Sequence, residues 1–247
     1  MSKHLKFSAN QPIDCACVIH GTGYDWIYVE RLYNMLKRTL PQGINFHVYT
    51  EHNRSVPPHM IKHCLMEWSA ELTGPKKSWW YKMQMFNPEH HQGQMLYFDL
   101  DVVIARDLQW IFNLDSNYFY GIRDFRHLQG KHQVTINSSC MWWNVKKYSY
   151  VWDEFVKRGP LTVSKQFYGD QDFITATVNY NDRRFFEDKH FESYRWQCLD
   201  GGFDFQRRIH RAPGTGVHIS GDTAVVVFHG KPKPHEIKHA EIAGLWQ

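Results

Sequence analysis

No stretch of this chain is long and apolar enough to cross a bilayer, and the polar opening, residues 1–12, lacks the hydrophobic core of a secretory signal. A cytoplasmic location is the expectation. Cysteine is scarce. The five thiols, Cys15, Cys17, Cys64, Cys140 and Cys198, are odd in number and show neither C-x-x-C pairs nor zinc-finger spacing. They are read as reduced and mostly buried rather than as a disulfide framework. Strong charge is missing too. A formal net charge of +4 suits phosphate-bearing ligands but is too small to demonstrate nucleic-acid binding. No linker, repeat or low-complexity tract interrupts the 247 residues, so a single α/β domain over residues 1–247 is expected. Aromatic residues, by contrast, are plentiful. Ten Trp, thirteen Tyr and sixteen His supply stacking surfaces that serve sugars and bases as well as a core.

Residues 95–104, Met-Leu-Tyr-Phe-Asp-Leu-Asp-Val-Val-Ile, stand apart from the rest. An apolar run of strand length carries two carboxylates two positions apart, and in an extended conformation Asp99 and Asp101 project from one face. Unneutralised acids at the end of a buried strand suffer desolvation and mutual repulsion unless a cation lies between them. Mg²⁺ and Mn²⁺ prefer oxygen ligands and are commonly shared between carboxylates and substrate phosphates. The pair is therefore read as a metal–diphosphate site. Most D-x-D occurrences are solvated turns or caps, but the flanking residues here offer no turn chemistry.

Elsewhere strands and helices alternate. Residues 13–20 read as a buried strand ending at Gly21-Thr22-Gly23, residues 26–40 as a helix with apolar positions at Ile27, Leu32, Met35 and Leu36, and residues 46–50 as a second strand. Such alternation favours a parallel sheet. After Pro57-Pro58, residues 60–72 are expected to be a short helix or irregular, and residues 76–82 lead into a helical stretch bearing Lys82. A capped turn at 107–112 and a strand at 118–122 follow. Residues 134–144 form a strand interrupted by Asn137, Ser138 and Ser139, which either faces a ligand or forms a bulge. Residues 148–158 are helical, and Gly169-Asp170-Gln171-Asp172 opens a helix over 173–178. Residues 225–234 read as a buried strand ending in His229, Lys231 and Lys233; imidazole can add a third ligand to Mn²⁺ and lysine can neutralise phosphate.

These blocks, in this order, resemble the metal-dependent nucleotide-sugar glycosyltransferases of the type A fold, in particular the glycogenin-like and bacterial galactosyltransferase-like family. Tyr97-Phe98-Asp99-Leu100-Asp101 is similar to its D-x-D strand, and Asn137-Ser138-Ser139 to its asparagine-serine-glycine strand. Gly169-Asp170-Gln171 resembles its glycine-aspartate-glutamine helix start, Trp80-Tyr81-Lys82-Met83 its lysine helix, and His229-Gly230-Lys231-Pro232 its closing motif. The chain departs where Ser139 replaces glycine, Gly230 follows His229 directly, and His235 stands in place of tryptophan. The resemblance implies a Rossmann-like, mainly parallel central sheet, with a nucleotide-sugar half over about 13–104 and an acceptor half over about 105–236. It implies Asp99, Asp101 and His229 as ligands to Mn²⁺ or Mg²⁺. Lys82, Asp99, Asp124, Gly230, Lys231 and Lys233 would bind a UDP-sugar, and Asp170, Gln171 and Asn137 would serve the sugar transfer, with retention at the anomeric carbon.

The acceptor stays open. A glycan is the family's usual kind, but Arg183-Arg184, Arg195-Trp196 and Arg207-Arg208-Ile209-His210-Arg211 give the C-terminal half a basic, aromatic-interleaved character suited to a hydroxymethylated DNA base. Two other readings compete: a nucleotidyltransferase, which would favour a glycine- and basic-rich loop that Gly21-Thr22-Gly23-Tyr24-Asp25 does not supply, and a non-catalytic nucleotide-sugar-binding module.

Overall fold

The structure is a computed structural model and describes residues 11–68, 72, 77–130, 134–200, 203–204, 209–210 and 216–247. Strand β1 (Ile13–Val18) alternates, sending Cys15 and Cys17 to one face and Ala16 to the other. Gly21, at φ +70°, turns the chain in a conformation that side chains with a Cβ rarely adopt. Helix α1 (Ile27–Thr39) then buries Tyr28, Leu32, Met35 and Leu36 along one stripe, and β2 (Ile44–Thr50) returns parallel to β1.

Where a helix or irregular segment was expected after Pro57-Pro58, the chain forms β3 (Ile61–Cys64), parallel to β2 with Ile61 opposite His47. Pairing of residues 61–64 satisfies the open edge of β2, and that edge exists only in the folded sheet. A run of 3-10 turns, Lys77–Phe86, leads to β4 (Gln94–Phe98). β5 (Val102–Ile104), β6 (Phe119–Arg123) and β7 (Ile136–Asn144) follow, then helices α2 (Tyr150–Arg158), α3 (Pro160–Gln166) and α4 (Asp170–Thr177). The chain continues through β8 (Arg183–Phe185), β9 (Phe191–Ser193), the short antiparallel pair β10 (Phe203–Asp204) and β11 (Ile209–His210), β12 (Val225–Val227) and α5 (Ala240–Leu245).

Seven strands make the central sheet in the order β3-β2-β1-β4-β7-β6-β8, parallel except for the pairs that β7 makes with β4 and β6. Both faces are covered, so the strands are apolar almost throughout. Leu96, Phe98, Cys140 and Trp142 pack toward α1 and α5, while Met95, Tyr97, Met141 and Trp143 pack toward the 3-10 run and helices α2 to α4. β1 has β2 on one side and β4 on the other, so the strand order reverses there. In open α/β sheets, ligands bind outside the carboxyl ends of the strands at such a point.

Residues 95–104 are not one strand. β4 ends at Phe98, Leu100 and Asp101 form a turn, and β5 belongs to a second, three-stranded sheet in the order β5-β12-β9. The acids therefore sit at the junction of two sheets rather than on one pleated face. The split has a physical reason, since a strand paired on both sides and packed on both faces has no place for two carboxylates. The closing strand is likewise shorter than expected and stops at Val227. All five cysteines are free, and four of them are buried.

Candidate active site

The carboxyl ends of β1 and β4 open into a cleft of about 780 Å³, lined among others by Gly21, Tyr24, Lys82, Asp99, Asp101, Asn137, Asp170, Gln171, Arg195, His229, Gly230, Lys231 and Lys233. Two backbone hydrogen bonds hold the acid turn in place. Asp99 N–H donates to the Ser139 carbonyl at 2.9 Å, and Phe228 N–H donates to the Asp101 carbonyl at 3.1 Å. The turn is thereby tied to the polar stretch of β7 on one side and to the end of β12 on the other, which brings His229 to the cleft.

Lys82 is the hub of the floor. Its ammonium lies 2.8 Å from Asp99 Oδ1 and 3.2 Å from Asp170 Oδ2, and it donates to Ser138 Oγ at 3.1 Å. Ser138 in turn donates to Asp170 Oδ2 at 2.6 Å, and Tyr97 donates to Asp99 Oδ1 at 2.6 Å. Burial works against the Lys82 charge, but Asp170 and Asp99 outweigh it and raise its pKa above the ordinary lysine value. Across the turn, Asp101 Oδ2 accepts from Tyr24 at 2.8 Å and is ion-paired with Lys233. Burial and the neighbouring Asp99 push its carboxyl above the usual range, with Lys233 and Tyr24 pulling against them. Burial also raises the Tyr24 phenol, reinforced by Asp101, so it remains a donor.

Each of the two acids thus has an ammonium partner, although Lys82 is shared between Asp99 and Asp170. A metal fits nonetheless by donor chemistry. Among the described residues, Asp99 Oδ2 and Asp101 Oδ1 take no hydrogen bond and are available as ligands. Burial and the Arg195 charge push the His229 imidazole down to about 4, so it is neutral near pH 7, with Nε2 engaged by Ser193 Oγ. Two carboxylate oxygens and one imidazole suit Mn²⁺, with a diphosphate and water completing the set. These three groups are not gathered at ligand spacing; among the described residues the one set that is lies elsewhere.

Asp170 is the first residue of α4, one position inside its N-cap, Gly169. A Cβ at position 169 would come within 2.9 Å of the Trp79 ring, so glycine is what lets this turn approach the cleft. Gln171 donates to Asp124 Oδ2 at 3.3 Å. Asp124 itself lies outside the cleft lining: it caps the following turn and holds Arg126 through two bonds of 2.9 Å. Asn137 lines the cleft, its Oδ1 accepting from Ser139 N–H at 2.9 Å. The ladder with β6 passes from Met141 directly to Asn137, the irregularity that one reading of this stretch expects, and Asn137, Ser138 and Ser139 line the cleft.

Tyr24, Tyr97 and Ser138 were not singled out as site residues from sequence, although each partners one that was. The position of Tyr24 after Gly23 and the break in β7 hydrophobicity at Ser138 were available signals. Of the basic residues, Arg195 lines the cleft, Arg184 stacks on Tyr118 and Arg183 on Tyr180; Arg207, Arg208 and Arg211 lie outside the described residues. Among the described residues no helix is long and apolar enough to cross a membrane.

No protein-family model matches the chain, and no curated protein matches it in sequence. Solved structures do match. The galactosyltransferase LgtC, in complex with donor and acceptor sugar analogs, is similar at a TM-score of 0.61 over 95% of this chain and 95% of that one, with 12% identity. The glycosyltransferase GlyE of Streptococcus pneumoniae TIGR4 matches at 0.59 over 91% of this chain and 56% of its own, with 14% identity. The bifunctional glycosyltransferase WbbM matches at 0.58 over 91% and 47%, with 12% identity. Together with the strand order and the cleft at its switch point, these likenesses identify the architecture of this chain as the type A glycosyltransferase fold.

Proposed function

We propose that this protein is a metal-dependent glycosyltransferase that moves a sugar from a UDP-sugar to a hydroxyl of a glycan acceptor, with retention at the anomeric carbon. One observation carries the reading: at the switch point of the sheet, the cleft combines two turn carboxylates with lysines on both sides and a buried, ion-paired Asp170. Four cationic side chains, Lys82, Arg195, Lys231 and Lys233, face three carboxylates, Asp99, Asp101 and Asp170, which leaves one formal positive charge. That is too little for a departing nucleoside diphosphate. A divalent ion held by Asp99, Asp101 and His229 would supply the missing charge to the leaving group.

The chain's own groups do the rest. Lys231 and Lys233 face the phosphates, and Gly230 allows the backbone to come close to them. Lys82 holds Asp170 and Asp99 at fixed separation, so the Asp170 carboxylate presents its charge to the positive charge that develops on the sugar. Gln171 and Asn137 orient sugar hydroxyls. A glycan acceptor is favoured by the aromatic pair Trp79 and Tyr168, 6.1 Å apart between ring centroids, both of which line the cleft; LgtC was likewise crystallised with an acceptor sugar analog. Screening UDP-sugars with Mn²⁺ against simple glycans and hydroxymethylcytosine DNA, with UDP release as readout, tests the proposal. UDP release with a glycan supports it, transfer only to DNA relocates the acceptor, and binding without release would leave a nucleotide-sugar-binding module.

A further inference from the structure

At the opposite end of the sheet, Asp14 near the start of β1, His47 on β2 and His91 just before β4 turn their side chains toward one another. We infer that these three residues form a second cation site, suited to Zn²⁺ or a similar borderline divalent ion. Their ligand atoms all lie within 4.8 Å of one another, and no other His, Cys, Asp or Glu trio among the described residues is gathered in this way. The site is remote from the cleft. Val18 at the cleft floor is four strand steps from Asp14, about 13 Å at the usual rise of a strand.

The geometry is close to what zinc requires. Donors held at about 2.0–2.1 Å in a tetrahedron sit about 3.3–3.4 Å apart. His47 Nε2 is 3.0 Å from Asp14 Oδ1 and His91 Nε2 is 3.8 Å from Asp14 Oδ2, one distance on either side of that value, so the two imidazoles flank opposite oxygens of a single carboxylate and a small turn of its side chain would bring one oxygen to both. Two imidazoles and a carboxylate form a mixed N/O set that favours zinc over the harder Mg²⁺. A hydrogen-bonded network accounts for the Asp14–His47 contact; His91 Nε2–H donates to the Gln94 carbonyl at 3.3 Å, a contact that a bound ion would displace, with the ring proton moving to Nδ1 so that His91 also stays neutral.

The surroundings supply the orienting contacts that metal-bound histidines use. His47 Nδ1 is 2.8 Å from His63 Nε2, and Asn45 donates to Asp14 Oδ1 at 3.0 Å. Without metal, His47 Nε2–H donates to Asp14 and Nδ1 accepts from His63. With metal on Nε2, the proton resides on Nδ1 and is donated to His63, whose own proton moves to its far nitrogen, so both rings stay neutral. Such an ion would clamp β1, β2 and the turn before β4 at the end of the sheet away from the cleft.

The test uses the full chain, stripped with a chelator and titrated with ZnCl₂ against a chromophoric zinc indicator at neutral pH. Wild type and Asp101→Asn are expected to share one tight Zn²⁺ site of equal affinity, distinct from weaker uptake by the cleft, while His91→Asn and Asp14→Asn each lose about a hundredfold at that tight site. Zinc should raise the melting temperature of wild type and leave that of His91→Asn unmoved. Cobalt in place of zinc should give the intense visible band of a four-coordinate ion in wild type and not in His91→Asn. Undiminished zinc uptake by both His91→Asn and Asp14→Asn would overturn the inference, as would its loss in Asp101→Asn alone, which would place the ion in the cleft.

Discussion

Replacing Asp170 with asparagine separates its charge from its shape. Asp170 stands one position inside the Gly169 N-cap and its carboxylate is paired with Lys82, so the structural alternative to a catalytic role is the loss of a buried ion pair rather than of a cap. Breaking a buried pair costs about 3–5 kcal/mol when the surviving charge is stranded. Lys82, however, keeps Asp99 at 2.8 Å, and an asparagine oxygen can still accept from Ser138. The expected loss is therefore nearer that of one charged hydrogen bond, about 1.5–3 kcal/mol. For a chain of this size that lowers Tm by about 3–12 °C. If Asp170 stabilises charge on the sugar, kcat falls in addition by about 10²–10³-fold while UDP affinity changes little. UDP release at saturating donor, a melting curve and UDP calorimetry on the same preparation give the three readouts. A variant with lowered Tm but near-normal kcat would refute the catalytic role and leave Asp170 as an anchor for Lys82.

Metal dependence is tested by EDTA, which should abolish transfer, with Mn²⁺ restoring it; Asp101→Asn should be inactive with or without added metal, and full turnover in EDTA would mean that the lysines suffice. Lys82→Ala and Lys233→Ala should each weaken UDP-sugar binding roughly ten- to hundredfold, the worth of a charge-assisted contact, as read by calorimetry. Unchanged affinity in both would show that these ammonium groups serve only their carboxylate partners. Glu51 opposes its own burial by accepting from Arg54 at 2.9 Å, from Thr50 at 2.8 Å and from Gly21 N–H, which together bring its pKa down to about 2. Because that lies below the ordinary 4.5, its contribution to stability is complete above pH 4.5 and is lost as pH falls toward 2. Melting temperatures of wild type and Glu51→Gln should therefore converge over that window, and curves that stay parallel would count against the linkage.

The sequence by itself determined the elements whose signal is local. The buried strand read over residues 13–20 and observed at 13–18, the periodic helix that follows and the polar break in β7 were all legible, because apolar runs, hydrophobic period and small polar residues act over a few positions. So were the chemical types in the cleft, since acids, lysines and a histidine inside apolar segments are costly without a purpose. Tertiary structure alone decided how these groups meet. Whether residues 95–104 made one strand or two depended on β12, far downstream in sequence, where Val225 pairs with Ile104 and offers β5 a second sheet. The edge strand β3 depended on β2 having an unpaired side. The pairing of Lys82 with Asp170, and of Lys233 with Asp101, spans stretches of chain that only the folded sheet brings together. The same holds for Asp14, His47 and His91. Their sequence spacing resembles no metal motif, and it is the parallel register, placing Asp14 beside Asn45 and Ala16 beside His47, that puts the carboxylate and imidazole on one face.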